Sequence, residues 1–275
     1  MKYLITRADD FGSAVAANQA ILQAVKRNGY LKNVSCMAAA PCMETGAEEL
    51  ERMRKQLGIC IGLHVTLNSE WDDVDFHSVL PAEKIPTLVD ERGVFAMHPM
   101  LFKKRMPDTA ECMLEISAQL DRLVKLGLHI EYVDTHMLPD AMVPGLMEAL
   151  TEFAQEHGLL DQRQFYTFPE KHQPNLGTQN SLAMDERAYS DWFDSMQEEQ
   201  QYINILHPAY YCEEMKKFHN PVLQGDSVAK SREAEQRLLN SGRLERLCME
   251  KQIVCLRYRD AKAQGDTTLV AAEKF

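Results

Sequence analysis

Seven short apolar runs, separated by six stretches of helical period, set the terms on which this chain can fold. The runs cover residues 3–6, 34–39, 59–66, 130–136, 165–168, 202–207 and 253–258. They are almost continuously apolar, as strands are when both faces of a sheet are covered. Helical stripes fall between them at 15–27, 47–57, 109–126, 144–157, 186–200 and 231–250, several of them closed by a glycine such as Gly58, Gly127 or Gly158. Parallel neighbours need a crossover long enough to hold a helix, so this alternation predicts a parallel sheet wrapped in helices. The expected fold is therefore α/β: one domain over 1–275 forming a distorted (β/α) barrel of about seven parallel strands. A doubly wound open sheet is the alternative.

One segment breaks the rhythm. Between Asn68 and Pro107 there is no sustained period; Trp71, Asp72, Asp73 and Asp75 lead into several prolines and a turn signal at Asp90–Gly93. A connection of this length is either a binding loop or disordered. It follows the run that carries His64, so its root belongs at the rim of the sheet. We expect an insertion, or lid, over a site.

The totals narrow the partners. A net charge of −11 and a pI near 5.3 argue against nucleic acid as the main partner, because phosphate binding needs basic patches. The N-terminus enters a strand directly, without a secretory h-region, and no run is long enough to span a bilayer, so no membrane partner is expected. Seven scattered cysteines with no CxxC predict reduced thiols and a cytoplasmic protein.

The polar residues of the strand runs carry the chemistry. The first run ends at Asp9-Asp10-Phe11-Gly12, the third holds His64, the fourth ends at Asp134-Thr135-His136, and the sixth ends at His207-Pro208. All stand at C-terminal strand ends, where barrels of this class collect catalytic groups. Neighbouring side chains on a strand point to opposite faces, so Asp9 and Asp10 can share one site only if the chain is already turning there, a turn that Gly12 permits. Each residue has an ordinary reading too. An Asp can cap the following helix, His64 can be a satisfied core histidine, and His136 and His207 can simply end strands. Asp134 can cap a turn or hold a neighbouring ligand from behind. Taken together they point to a metal hydrolase. One carboxylate and two imidazoles leave positions open on a cation, a second Asp can take a proton from water, and a separate His can give one to a leaving amine. His77, His98, His129, His157, His172 and His219 lie in loops, at element edges or on solvated helix faces and are not assigned to the site.

The ordered set Ala8-Asp9-Asp10-Phe11-Gly12, Gly62-Leu63-His64-Val65, Asp134-Thr135-His136 and Leu206-His207-Pro208 resembles the YdjC-like carbohydrate deacetylases, which include the chitooligosaccharide deacetylases. Ser231–Glu235 with Leu238 is similar to that family's closing helix. The resemblance implies a distorted (β/α) barrel and one divalent metal ion, magnesium or zinc. It implies Asp10, His64 and His136 as metal ligands, Asp9 as general base and His207 as general acid. The implied substrate is a small N-acetylated sugar or short oligosaccharide, for which Trp71, Tyr210 and Tyr211 offer flat apolar surfaces. A homodimer fits the class. Two departures stand beside the site: Met137-Leu138-Pro139 where the family usually has further histidine, and Ala209-Tyr210-Tyr211 where glycine commonly follows His-Pro. A metal-dependent phosphoesterase, or an inactive relative that keeps the metal site, is the alternative.

Overall fold

A computed structural model describes residues 1–27, 29–96, 102, 104, 106–165, 172–176 and 181–263. Strands and helices alternate along them: β1 (Lys2–Phe11), α1 (Val15–Lys26), β2 (Asn33–Cys36), α2 (Ala47–Leu57), β3 (Cys60–Val65), α3 (Thr109–Lys125), β4 (Tyr132–Thr135), α4 (Leu146–Glu156), β5 (Leu160–Asp161), α5 (Leu182–Asp194), β6 (Gln201–Leu206), α6 (Gly225–Asn240), α7 (Arg243–Glu250) and β7 (Ile253–Leu256). Every strand pair is parallel, in the order β5-β4-β3-β2-β1-β6. Strand β7 pairs with Lys2–Ile5 of β1, ahead of the stretch from Arg7 to Phe11 that pairs with β2. The sheet curls into a half-barrel, open between β5 and β6.

Period-two alternation sorts the strand residues onto its two faces. On β1, Leu4 and Ala8 join the large core under the helices, while Ile5 joins a smaller cluster with Cys60, Tyr132, Phe165, Ile203 and Tyr258 inside the curl. Stepping by two from those inner residues reaches Arg7 and Asp9 on β1, Gly62 and His64 on β3, Asp134 and then His136 on β4, and Ile205 and then His207 on β6. The inside of the curl is thus apolar at the N-terminal ends of the strands and charged at the C-terminal ends. Side chains bridge the open edge. Arg7 Nη1 donates to Gln162 Oε1 (2.6 Å), and Gln201 Nε2 donates to the carbonyl oxygens of Phe165 and Lys262.

The elements depart from expectation in three places. The helix expected over 186–200 runs from Leu182 to Asp194, started by the Ser181 side chain, which accepts from the Met184 amide. The fifth strand is the pair Leu160–Asp161 rather than 165–168; Phe165 follows a single 3-10 turn, and 166–168 lie outside the described residues. The helix expected over 231–250 begins earlier, at Gly225, and is cut in two, because Gly242 takes φ 71° and restarts the chain as α7.

The described residues of the 68–107 segment are packed, not loose. Phe76, Ile85, Leu88, Phe95 and Phe102 are buried in the large core, and antiparallel bridges pair His77 with Val94 and Val89 with Phe95. Two carboxylates of α3 hold it. Glu115 accepts from the amides of Val79 (2.8 Å) and Leu80 (3.0 Å), and Glu111 accepts from the Thr87 amide and hydroxyl. Its apolar residues follow no period because they dock on an irregular surface rather than along one helix or strand face.

Gly62 is the tightest point inside the curl. A Cβ there would lie 2.2 Å from Tyr132 Cε2, and that ring already packs on Tyr258 at 4.3 Å between centroids. We expect Gly62→Ala to lower stability by about 1–3 kcal/mol, as overpacking does, read as a shift of the urea midpoint. An unchanged midpoint would show that the ring moves aside freely.

Candidate active site

The end of β1 brings two adjacent carboxylates into one hollow by breaking its own regularity. The register with β2 shifts between Ala8 and Phe11. Asp10 takes φ 65° and Gly12 φ 108°, so the chain turns through Asp10 itself as well as through the glycine. Aspartate tolerates this left-handed backbone better than most residues. At Gly12 a Cβ would also sit 3.1 Å from the carbonyl oxygen of Met37.

Asp9 stays on the inner face, beside Arg7. The guanidinium clasps it with both forks, Nε to Oδ1 at 2.6 Å and Nη2 to Oδ2 at 2.8 Å. Its third nitrogen, Nη1, lies 2.9 Å from Asp134 Oδ2 and 3.0 Å from the Tyr258 hydroxyl. Ser35 donates to the same Asp134 oxygen at 2.9 Å. Burial works to raise the Asp9 carboxyl, but Arg7, with His64, holds it below the ordinary carboxylate value.

Asp10 faces the two imidazoles. Its Oδ1 is 3.7 Å from His64 Nε2 and 3.7 Å from His136 Nδ1, is buried, and has no hydrogen-bond partner. Its Oδ2 is held by Arg232 Nη2 at 2.9 Å. The back of His64 is turned to Asp134, Nδ1 to Oδ2 at 3.1 Å. Burial lowers both imidazoles. At His64 the charges of Asp134 and Asp9 override it and bring the ring to about 9. At His136 burial prevails over Asp10 and, with the charge of His64, takes the ring down to about 3.

Donor atoms of Asp10, His64 and His136 lie within 4.8 Å of one another, and so do those of Asp9, His64 and Asp134. Only the first group fits a cation. Arg7 already stands between Asp9 and Asp134, whereas the orphaned Asp10 Oδ1 faces a nitrogen from each of two rings. One carboxylate with two imidazoles suits zinc and similar borderline ions better than magnesium, which favours an all-oxygen shell.

This group lies at the floor of a cavity of about 810 Å³, with Asp9 and His207 also in its lining. Of the 68–107 segment, Glu70 and Trp71 reach the cavity; the other described residues of the segment do not line it. Trp71 is only 3% exposed, packed edge-on to Phe218 at 5.6 Å, with the Arg232 guanidinium 5.8 Å from its ring centre. Tyr210 and Tyr211 do not line the cavity, contrary to the expected role on a sugar; the Tyr211 hydroxyl instead donates to Asp226 at 2.6 Å. The wall they were expected to form is made by α6, through Val228, Ser231, Arg232 and Glu235, and Glu235 accepts the backbone N–H of His207. Burial pushes the Glu70 carboxyl up to about 7, with Asp10 adding to it and Arg232 opposing.

Sequence reasoning gave no site role to Glu70, Arg232 or Glu235, although the last two stand in the Ser231–Glu235 run that resembles the family's closing helix. Arg232 and Glu235 stand three apart on a helix whose apolar stripe includes Ala229 and Leu238, and a charged pair beside that stripe was the available signal. Glu70 had no signal in an aperiodic stretch. The Met137-Leu138 departure is conformational as well as chemical. Both residues take positive φ (58° and 56°), and Leu138 stands 40% exposed while lining the cavity.

Arg7 is the counterion for two buried carboxylates. In the metal-free protein, Arg7→Met should cost about 3–5 kcal/mol of stability, the usual result of leaving a buried charge unpaired. Because the folded Asp9 value is depressed, its contribution is full above an unfolded value near ~4 and is lost as pH falls through the lower folded value. Urea unfolding of both proteins between pH 7 and pH 3 checks this: a loss under about 1 kcal/mol at pH 7 contradicts the role.

Comparison with known proteins places this geometry among relatives. A family model described as YdjC-like protein matches residues 3–250. A carbohydrate deacetylase of Thermoanaerobacter pseudethanolicus is 30% identical over 165 residues, 58% of this chain and 59% of that protein. One of Enterococcus faecalis is 32% identical over 135 residues, 49% of this chain and 48% of that protein. The chain thus aligns with about half the length of these two relatives. A carbohydrate deacetylase of Clostridium beijerinckii is 24% identical over 267 residues, covering 94% of this chain and 99% of that protein. A crystal structure from Enterococcus faecalis V583, described as a candidate cellobiose-phosphate cleavage protein, shares the fold at a TM-score of 0.74 and 21% identity, over 94% of this chain and 98% of that one.

Proposed function

We propose that this chain, which belongs to the YdjC-like protein family, is a carbohydrate deacetylase that uses one divalent cation to remove acetyl groups from N-acetylated sugars or short oligosaccharides. The observation that carries the proposal is the buried, partnerless Asp10 Oδ1 set between His64 Nε2 and His136 Nδ1 at the floor of an open cavity. The names of the relatives support the substrate class.

In this reading Asp10, His64 and His136 would hold the cation, which supplies a Lewis acid for the acetyl carbonyl and lowers the pKa of water. The rest is done by the chain. Asp9, clasped by Arg7 at the cavity wall, accepts the proton of the attacking water on a carboxylate oxygen. His207 gives a proton to the amide nitrogen as the C–N bond breaks, releasing acetate and the free amino sugar. Asp134 orients His64 from behind, and Glu235 fixes the backbone from which His207 projects. Glu70 and Trp71 are the part of the 68–107 segment that shapes the substrate's surroundings. Among the described residues lining the cavity, the arginines are Arg7 and Arg232, and both are paired with carboxylates. Arg232 Nη1 is left without a hydrogen-bond partner, a single donor group where a phosphate would take several, and this favours a neutral sugar over a phosphoester. The free cysteines and the absence of a membrane-length helix among the described residues are compatible with the cytoplasm as its place of work.

Metal analysis of the purified protein and acetate release from N-acetylglucosamine oligomers test this directly. His64→Ala and His136→Ala should each lose the bound ion while the fold survives. Asp9→Asn should keep the ion and lose about two to four orders of magnitude in turnover, the size of a general-base contribution. Unchanged metal content in both histidine variants, or near-normal turnover in Asp9→Asn, would contradict the assignment.

A further inference from the structure

We propose that Glu70 is a positioning residue for His136: it accepts the imidazole's outer N–H and so keeps Nδ1 turned to the cation. The inference rests on the metal-dependent reading above. His136 directs Nδ1 at Asp10 Oδ1, 3.7 Å away, which leaves Nε2 on the far side of the ring, buried and without a hydrogen-bond partner. An imidazole that binds a cation through one nitrogen carries its proton on the other, and a buried N–H left without an acceptor is unfavourable. Glu70 Oε2 lies 3.7 Å from that nitrogen, about 0.8 Å beyond an ordinary N–H···O bond. A rotamer adjustment of this long side chain closes the gap.

The aromatic contacts of the ring do not choose its orientation. His136 is packed edge-to-face against His64 (5.4 Å) and Phe76 (5.9 Å). Those contacts fix the ring plane, but a half-turn about the Cβ–Cγ bond exchanges Nδ1 with Cδ2 and leaves the shape almost the same. A carboxylate on the Nε2 side distinguishes the two, because the flipped ring offers it a carbon. Glu70 does not belong to either group of converging donor atoms, so it acts behind the ligand. Its backbone is held on both sides: the Ser69 amide donates to Ala96 O at 2.7 Å, the Asp72 amide to His219 O at 2.8 Å, and Asn220 Nδ2 to Glu70 O at 3.3 Å. The long irregular segment after β3 thereby acquires a task at the site: its root carries the group that orients the ligand at the end of β4.

The experiment compares zinc affinity, by competition with a chromophoric chelator, in the wild type, Glu70→Ala and Glu70→Gln, alongside thermal unfolding of the metal-free proteins. We expect Glu70→Ala to bind zinc about 10–100-fold more weakly, the usual effect of removing such an acceptor, with metal-free unfolding close to wild type. Glu70→Gln, whose amide oxygen still accepts the N–H, should recover most of the loss. Equal affinity in all three proteins overturns the proposal. So does a Gln variant as weak as the Ala variant, which would make Glu70 a diffuse charge rather than an acceptor. A wild type that binds no zinc fails at the earlier step and overturns the metal-dependent reading itself.

Discussion

The Arg7 guanidinium is the crosspiece of this half-barrel. One buried side chain joins Asp9 on its own strand, Asp134 on β4, Gln162 beyond β5 and Tyr258 beyond β7. An open curl of parallel strands has no hydrogen bonds across its gap, and the charged side chains gathered at its C-terminal end repel one another. Arg7 answers both problems. Its planar fork matches a carboxylate on one edge, and its remaining nitrogen reaches across the interior. Burial alone would push the Asp9 carboxyl up. With Arg7 beside it, that carboxyl is held below its ordinary value, the state the proposed base requires.

The second arginine divides the labour differently. Arg232 comes from α6 and holds only one oxygen of Asp10, leaving the other to face His64 and His136. Three residues on, Glu235 holds the backbone of His207. A single helix turn thus sets the Asp10 carboxylate and the His207 backbone. Trp71 and Phe218 stack about the Arg232 guanidinium at 5.8 and 5.7 Å, which keeps it in place with little freedom. The aromatic side chain in the segment after β3 therefore serves the protein's own arginine before it serves any ligand.

Beside this charged floor, the chain around Met137 and Leu138 is unusual. Two successive left-handed residues carry some strain, and Thr135 steadies the turn by donating to Asp140 at 2.8 Å. The turn lies where the chain departs from the family's pattern, and it places an exposed leucine on the cavity. The fold is thus that of the relatives.

The sequence by itself determined the sheet and the identity of its polar ends. Apolar runs of four to eight residues alternating with helical stripes admit few arrangements other than parallel strands with helices outside. Once Ile5, Cys60, Tyr132 and Ile203 face inward, period two carries Asp9, His64, Asp134, His136 and His207 to the same face. Those residues were legible because a strand's geometry is local. The tertiary structure decided what local geometry leaves open. It chose Asp10 as the residue that turns left-handed, gave Arg7 to Asp9 and Asp134, brought Arg232 to Asp10 from a helix more than two hundred residues away in the chain, and set Glu235 of the same helix on the His207 backbone. It also put Glu70 behind His136 and buried Trp71 against Arg232, from a stretch with no period to read. These pairings arise where separate elements meet, and a contact between distant segments leaves no periodic trace in either one.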